Sequence, residues 1–301
     1  MTIAASNIAA ASAPKPHVPR TLGLDNRFLA PILITCILAV ADWQYAILQS
    51  YWHTVAAIVA SILLELALGK FATGRWPHLA SAYISGISVG ILIRSNYFWP
   101  YIVCSLLAIS SKYALRVGGR HLWNPSNLGV SILLFLAPQA VATLSQQWGN
   151  EIWVLLIIWT LGCLILLRLG RLHITLTYVA AFIALSFVRA ALDGEVWLNE
   201  VAPITAPMYQ LYIFFMITDP KTTPRTWRRQ IAVTLVVAAV ETGLRLVGGI
   251  TGIHAPYYAL FIVFPIANLL EICWDAWQAK AKATPAPLAT TPDAAEPVAA
   301  R

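Results

Sequence analysis

Charged side chains are scarce in this chain. Asp, Glu, Lys and Arg make up 11% of its 301 residues, against roughly 25% in a typical soluble domain. Apolar residues reach 59% and mean hydropathy is +0.70, which excludes an ordinary water-soluble domain. Cysteine is rare as well. Cys36, Cys104, Cys163 and Cys273 lie far apart with no CxxC or Cys/His spacing, so the chain alone offers no zinc or iron–sulfur ligand set. The four thiols read as small apolar residues, although two of them have room to meet across helices. The six histidines show no metal-ligand spacing, and no GxGxxG, Walker A or nucleophile-elbow segment is present. These absences speak against soluble NAD or ATP chemistry, and no metal is expected as a ligand of this chain.

What the chain has instead is room for about ten apolar spans between Arg27 and Trp277, each of the order of 20 residues. Hydropathy places them near 29–50, 52–69, 79–94, 96–111, 126–145, 149–167, 174–192, 203–217, 230–249 and 255–276. Residues 1–27 and 278–301, rich in Ala, Pro and Thr, read as disordered tails, and 28–277 as one membrane domain. The segment Met1–Arg20 lacks the apolar stretch of a signal peptide. With ten spans, 17 of the 20 Lys and Arg fall in the tails and in the connections after even-numbered spans, leaving Arg94, Arg189 and Arg245 on the other side. The positive-inside rule then predicts a multi-pass protein of the inner (plasma) membrane with both termini cytoplasmic. The net charge of +7 reflects this topology and does not call for nucleic acid as a partner. The bilayer itself is the first partner. Trp43, Trp52, Trp76, Trp99, Trp123, Trp148, Trp197 and Trp227 sit near span ends, as an interfacial belt requires.

Two polar, proline-bearing interruptions stand out: GRHLWNPSNLG (Gly119–Gly129) and FFMITDPKTTP (Phe214–Pro224). Irregular backbone at bilayer depth is tolerated only where protein or a water-filled cavity surrounds it, so both point to a site. NPSNLGVSILLFLAP (Asn124–Pro138) and APYYALFIVFPIAN (Ala255–Asn268) share a pattern, and in this topology they start on opposite sides. The expected fold is therefore an all-α integral membrane protein with an inverted 5 + 5 repeat.

The two interrupted segments resemble those of the RnfD/NqrB family, membrane subunits of ion-translocating electron-transport complexes. GRHLWNPSNLG is similar to the family's Gly-x-x-x-(Phe/Trp)-Asn-Pro segment and FFMITDPKTTP to its FFM-x-TDP-x-(Ser/Thr)-x-P segment. Arg245, Gly249, Ala259 and Asn268 fall on its Arg–Gly…Ala…Asn pattern, and Trp148–Ile174 resembles its Gly-Glu-initiated span with the following basic turn. The wording of the two segments looks closer to the UnbU-type enediyne-biosynthesis branch. The resemblance implies inverted repeats distantly like ammonium and urea channels, a flavin (FMN or riboflavin), a quinone-like small molecule, and other membrane or redox subunits as partners. Relatives attach FMN to a threonine in a (Ser/Asp)-Gly-Ala-Thr motif. The nearest match here is Thr143 in Val141-Ala142-Thr143, which lacks the Gly and the leading Ser or Asp.

Residue by residue, each group has a chemical and a plain reading. Arg120 and His121 beside the helix start at Asn124-Pro125 suit an anion such as a flavin phosphate, or a quinone carbonyl; equally, Asn124 caps a helix whose first turn holds Pro125. Asp219 suits a cation or proton at the cytoplasmic mouth, or forms an Asx-turn. Glu65 and Glu241 lie within spans, where a carboxylate costs about 2.5–3.5 kcal/mol. Both are ion- or proton-path candidates or interhelical hydrogen-bond glue. Arg245, four residues after Glu241, shares its helical face and pairs with it; Glu65 has no local partner. Two functions follow: a flavin- or quinone-linked electron-transfer subunit coupled to ion movement or serving natural-product biosynthesis, or a cofactor-free solute or ion transporter of the same fold. No acid–base dyad is evident, so a scaffold for an enzyme partner is a third.

Overall fold

A computed structural model describes residues 26–143 and 152–283; the outer parts of both expected tails, and Trp148, lie outside the described residues. The chain is mostly helical. Helices α1 (Asn26–Tyr45), α2 (Tyr51–Thr73), α3 (Ala80–Leu92), α4 (Trp99–Ala114) and α5 (Pro125–Leu136) are followed by α6 (Ile152–Arg168) and α7 (Leu172–Asp193). Short α8 (Trp197–Val201) and α9 (Pro207–Leu211) flank a 3-10 turn and lead into a π-helical turn, Tyr212–Met216. Then come α10 (Trp227–Val247), the short α11 (Gly249–Ile253) and α12 (Ala255–Ala283). Among the described residues four helices are long and apolar enough to cross a bilayer: Tyr51–Thr73, Leu172–Asp193, Trp227–Val247 and Ala255–Ala281. The protein is a predominantly helical membrane protein.

Helical segments occupy the expected span positions, but their lengths differ in places that the local chemistry explains. The expected 126–145 span stops at Leu136, because Pro138 cannot continue a helix. The chain turns at 137–141, and β4 (Ala142–Thr143) pairs antiparallel with β1 (Ile93–Arg94) at the end of α3. The expected 203–217 span is broken into three pieces, with Pro203 and Pro207 each opening one of them. The last helix runs six residues past Trp277, to Ala283.

Close approach of helices rests on small residues, as is usual between membrane helices. Gly86 and Gly90, one turn apart on α3, lie against α2: a Cβ at Gly86 would sit 2.5 Å from the Ile58 Cα. Gly129 of α5 is held as tightly against the Cys104 carbonyl of α4. Between α4 and α5, β2 (Arg116–Val117) and β3 (Arg120–His121) form a hairpin. Its two central residues, Gly118 and Gly119, both have positive φ (56° and 79°), the backbone of a two-residue type I′ turn.

The two segments with the shared Pro pattern pack against each other. Trp123 Nε1 donates to the Phe261 carbonyl at 2.8 Å, Asn127 Nδ2 to the Tyr257 carbonyl at 3.2 Å, and Asn268 Nδ2 to the Leu122 carbonyl at 3.1 Å. Residue numbers rise along α5 as they fall along α12, so the pair is antiparallel.

Replacing Gly86 by Leu is expected to lower stability in detergent by about 1–3 kcal/mol through overpacking. Gly243→Ala, on a helix with open space around it, is expected to be neutral or stabilising by up to ~1 kcal/mol. Thermal unfolding of the two variants checks this, and equal melting points would contradict the α2–α3 contact.

Candidate functional site

The connections that follow α2, α4, α6 and the π turn meet at one end of the molecule around a cavity of about 1250 Å³. Both interrupted segments line it: Arg120, His121, Asn124 and Pro125 from the first, Asp219, Pro220, Lys221 and Thr223 from the second. They also touch. Asn124 Nδ2 donates to Asp219 Oδ2 at 3.3 Å.

Each segment is locally determined. Asn124 is the N-cap of α5: its side-chain oxygen accepts from the Asn127 N–H at 3.1 Å, and Pro125 occupies the first turn. Asp219 forms the Asx-turn, its Oδ1 accepting from Lys221 N–H at 3.0 Å, while Oδ2 takes the Thr222 hydroxyl at 3.2 Å. Burial raises the Asp219 carboxyl above the ordinary aspartate value, against these hydrogen bonds and the charges of Lys221 and Arg171. The plain reading of both residues holds in structure, and their junction is what makes the cavity wall.

Arg120 is not a free anion ligand. Its guanidinium donates to the buried Glu271 carboxylate, to the Thr223 carbonyl at 3.0 Å and to Asn268 Oδ1 at 3.2 Å. Glu271 also accepts from Arg229 at 2.9 Å and from the Arg225 N–H at 3.0 Å. The positive charge of the cavity comes from other residues. Among the described residues no carboxylate pairs with Arg116, Arg171 or Lys221, all of which line it. Arg171 donates to Thr223 Oγ1 and Arg116 to the Gly119 carbonyl. His121 lies among them with its Nδ1 buried and unpartnered. Burial first, then Lys221, Arg116 and Lys112, push its pKa down to about 4, so the ring is neutral at pH 7.

Glu65 does have a partner, one that local spacing concealed. Lys112 Nζ on α4 lies 3.0 Å from it and the Tyr113 hydroxyl 3.0 Å; both sides of the ion pair are buried and both line the cavity.

Glu241 and Arg245 form a second, separate cluster and do not line the cavity. Arg245 Nε pairs with Glu241 Oε1 at 3.1 Å, on the shared face that their spacing predicts. Tyr178 and Tyr209, invisible to motif reading, donate their hydroxyls to the same carboxylate. Nearby, the wholly buried Arg189 reaches Glu200 at 2.6 Å and the Thr242 hydroxyl at 3.1 Å. Arg189 and Arg245 both lie over the Phe182 ring, at 4.7 and 5.5 Å. The four ion-path candidates are thus split, Glu65 and Asp219 at the cavity and Glu241 with Arg245 elsewhere.

Thr143 is apart from both clusters. It is buried, bridged to Ile93 and 3.3 Å from His254 Nδ1, beyond the far end of α5, a helix about 18 Å long at 1.5 Å per residue. The four cysteines are free, and only Cys104 is fully buried. Among the described residues no cluster of His, Cys, Asp and Glu is arranged to hold a metal. The fold and site define an α-helical membrane protein with a large basic cavity at one end. No protein-family model matches the chain, and no curated protein matches it.

Lys112→Met is expected to cost about 3–5 kcal/mol by stranding the buried Glu65 carboxylate, and Glu65→Gln in the same chain is expected to restore most of it. A double-mutant cycle of unfolding free energies reads this, and additive losses would refute the pairing. The depressed His121 makes a second prediction. Between pH 6.5 and about 4 the unfolded chain takes up a proton that the folded site refuses, so His121 removes stability as pH falls through that window. His121→Gln is expected to flatten the loss of thermal stability between pH 7 and pH 5.

Proposed function

We propose that this chain is the membrane subunit of an electron-transfer assembly of the RnfD/NqrB type, its basic cavity open to the cytoplasm and holding a flavin (FMN or riboflavin) or a quinone-like molecule. The observation that carries the reading is the direct Asn124–Asp219 junction of the two family-like segments on the wall of that cavity. The residues fit such a guest bound without a covalent link. The volume exceeds the 300–1,000 Å³ usual for small-molecule sites. Arg116, Arg171 and Lys221, none of them in an ion pair among the described residues, supply positive charge for a phosphate, Tyr113 and Phe215 line the space with aromatic surface, and the His121 Nδ1 has no protein partner. A bound flavin would supply one- and two-electron transfer; these side chains would bind and orient it. Covalent attachment at Thr143 has little support, because that hydroxyl is buried beside His254 and Thr143 is not part of the cavity lining.

The ten-span, inverted 5 + 5 architecture belongs to the same proposal, with both termini cytoplasmic in the plasma membrane. Neighbour order supports it: α2 packs on α4 and α4 on α5, as α7 packs on α10 and α10 on α12. So does a repeated run, Leu115-Arg116-Val117-Gly118-Gly119 before α5 and Leu244-Arg245-Leu246-Val247-Gly248-Gly249 before α11 and α12, whose four glycines all have positive φ. Partner redox subunits, and a place in respiration or in enediyne-type biosynthesis, follow from the family reading. The buried Thr143 favours a second reading, a cofactor-free transporter using the same cavity.

The visible spectrum of the purified protein separates the two. Flavin bands at about 370 and 450 nm, diminished by Arg171→Gln with Lys221→Gln, are expected. A colourless protein that moves solute in proteoliposomes would replace the redox reading with the transport one.

A further inference from the structure

A second concavity lies on the lateral surface, away from the cavity just described. It is a groove of about 700 Å³ between α10 and α12, walled by Val233, Val236, Val240, Ile262, Ile266 and Leu270, and closed at the basic end by Arg229, Glu271 and Trp274. Its walls face outward: Val236 is 50% and Leu270 66% exposed. From Val240 to Arg229 the groove follows α10 for about 16 Å at 1.5 Å per residue, close to one leaflet of a hydrocarbon core about 30 Å thick.

The charge at its mouth is unbalanced. Four arginines stand here against two carboxylates, and Arg120, Arg225 and Arg229 already pair with Glu271 and Asp275. Arg228 has neither; it is exposed and stacked on Trp227 at 5.7 Å. Arg229 lines the groove where its apolar walls end, and helical spacing puts Arg228 one turn before Ala232, at the start of the row that forms the α10 wall. Trp227, Trp274 and Trp277 are exposed at the same level, the depth at which indoles meet headgroups.

We propose that this groove is a binding site for one anionic phospholipid of the basic-side leaflet. An acyl chain lies along Val233, Val236, Ile262 and Ile266, and the phosphate sits at Arg228 beside Arg225. Apolar length, charge surplus and the tryptophan level each fit that occupant. An uncharged lipid would leave Arg228 without a partner, and an apolar partner helix would leave the surplus charge unanswered.

The test uses the full chain in nanodiscs of equal phosphatidylglycerol and phosphatidylcholine, with retained lipid counted by native mass spectrometry after transfer to detergent. The expected result is a roughly fivefold preference for phosphatidylglycerol, the gain attributable to one basic residue at a membrane surface. Arg228→Gln should bring it near unity. Val236→Trp or Ala232→Trp, which fill the groove from its lipid face, should reduce total retained lipid, whereas Leu235→Trp, on a different face, should not. Monodisperse elution of each variant guards against misfolding. Equal retention of the two lipids, or a preference indifferent to Arg228→Gln, would overturn the proposal. So would displacement of the lipid by excess inorganic phosphate alone, which would mark a headgroup-only anion site. Release of a co-purifying polypeptide by Val236→Trp would assign the groove to a partner helix instead.

Discussion

A carboxylate withdrawn from water must be surrounded by cations and N–H donors or it will not stay ionised, and the basic end of this protein is organised around that demand at Glu271. Glu271 draws in Arg120 from the hairpin before α5, and Arg229 and the Arg225 backbone from the segment after the π turn. Asn268, one turn earlier on the same face of α12, donates to the Leu122 and Thr222 carbonyls and so grips the same two segments. Two loops about a hundred residues apart in sequence are thereby fixed to one helix. The Asn124–Asp219 contact, and with it the cavity wall, is a consequence of this double hold.

The buried charges of the two halves are handled differently. In the first, Glu65 on α2 meets Lys112 on α4, and the pair borders open space. In the second, Glu241 is enclosed by two tyrosines and Arg245, with Arg189 and Glu200 beside it. Charge next to a cavity can exchange partners with a guest, whereas charge sealed among aromatic rings holds helices in place. The Glu65–Lys112 pair is therefore open to a guest, whereas the enclosure of Glu241 is that of interhelical hydrogen-bond glue.

Much of the helix arrangement was legible in the sequence, because hydropathy reports burial in lipid directly. Helix ends were less so. α5 stops at Leu136 and the α9 region breaks at Pro203 and Pro207 because single prolines interrupt runs whose average hydropathy barely changes. Local geometry at the site was also legible: Asn124 caps, Asp219 turns, and Glu241 with Arg245 pairs at four-residue spacing. What stayed hidden was contact over long separations. Nothing near Glu65 announces Lys112, 47 residues on, and nothing near Arg120 announces Glu271, 151 residues on. The Leu-Arg-Val-Gly-Gly echo before α5 and α11 was readable in principle, but an inserted residue, Leu246, puts it out of register.

The shortness of α3 and α5 has an electrical consequence. At 13 and 12 residues these helices measure about 18–20 Å, well under the ~30 Å of a hydrocarbon core, and a polar cavity adjoins them on one side. A membrane voltage falls mainly across material that excludes water. Where water fills the cavity up to these helices, the insulating layer is thinner than the lipid around it and the gradient across it is steeper. A charge set against α5 would then meet a steeper field than one at the same depth in lipid.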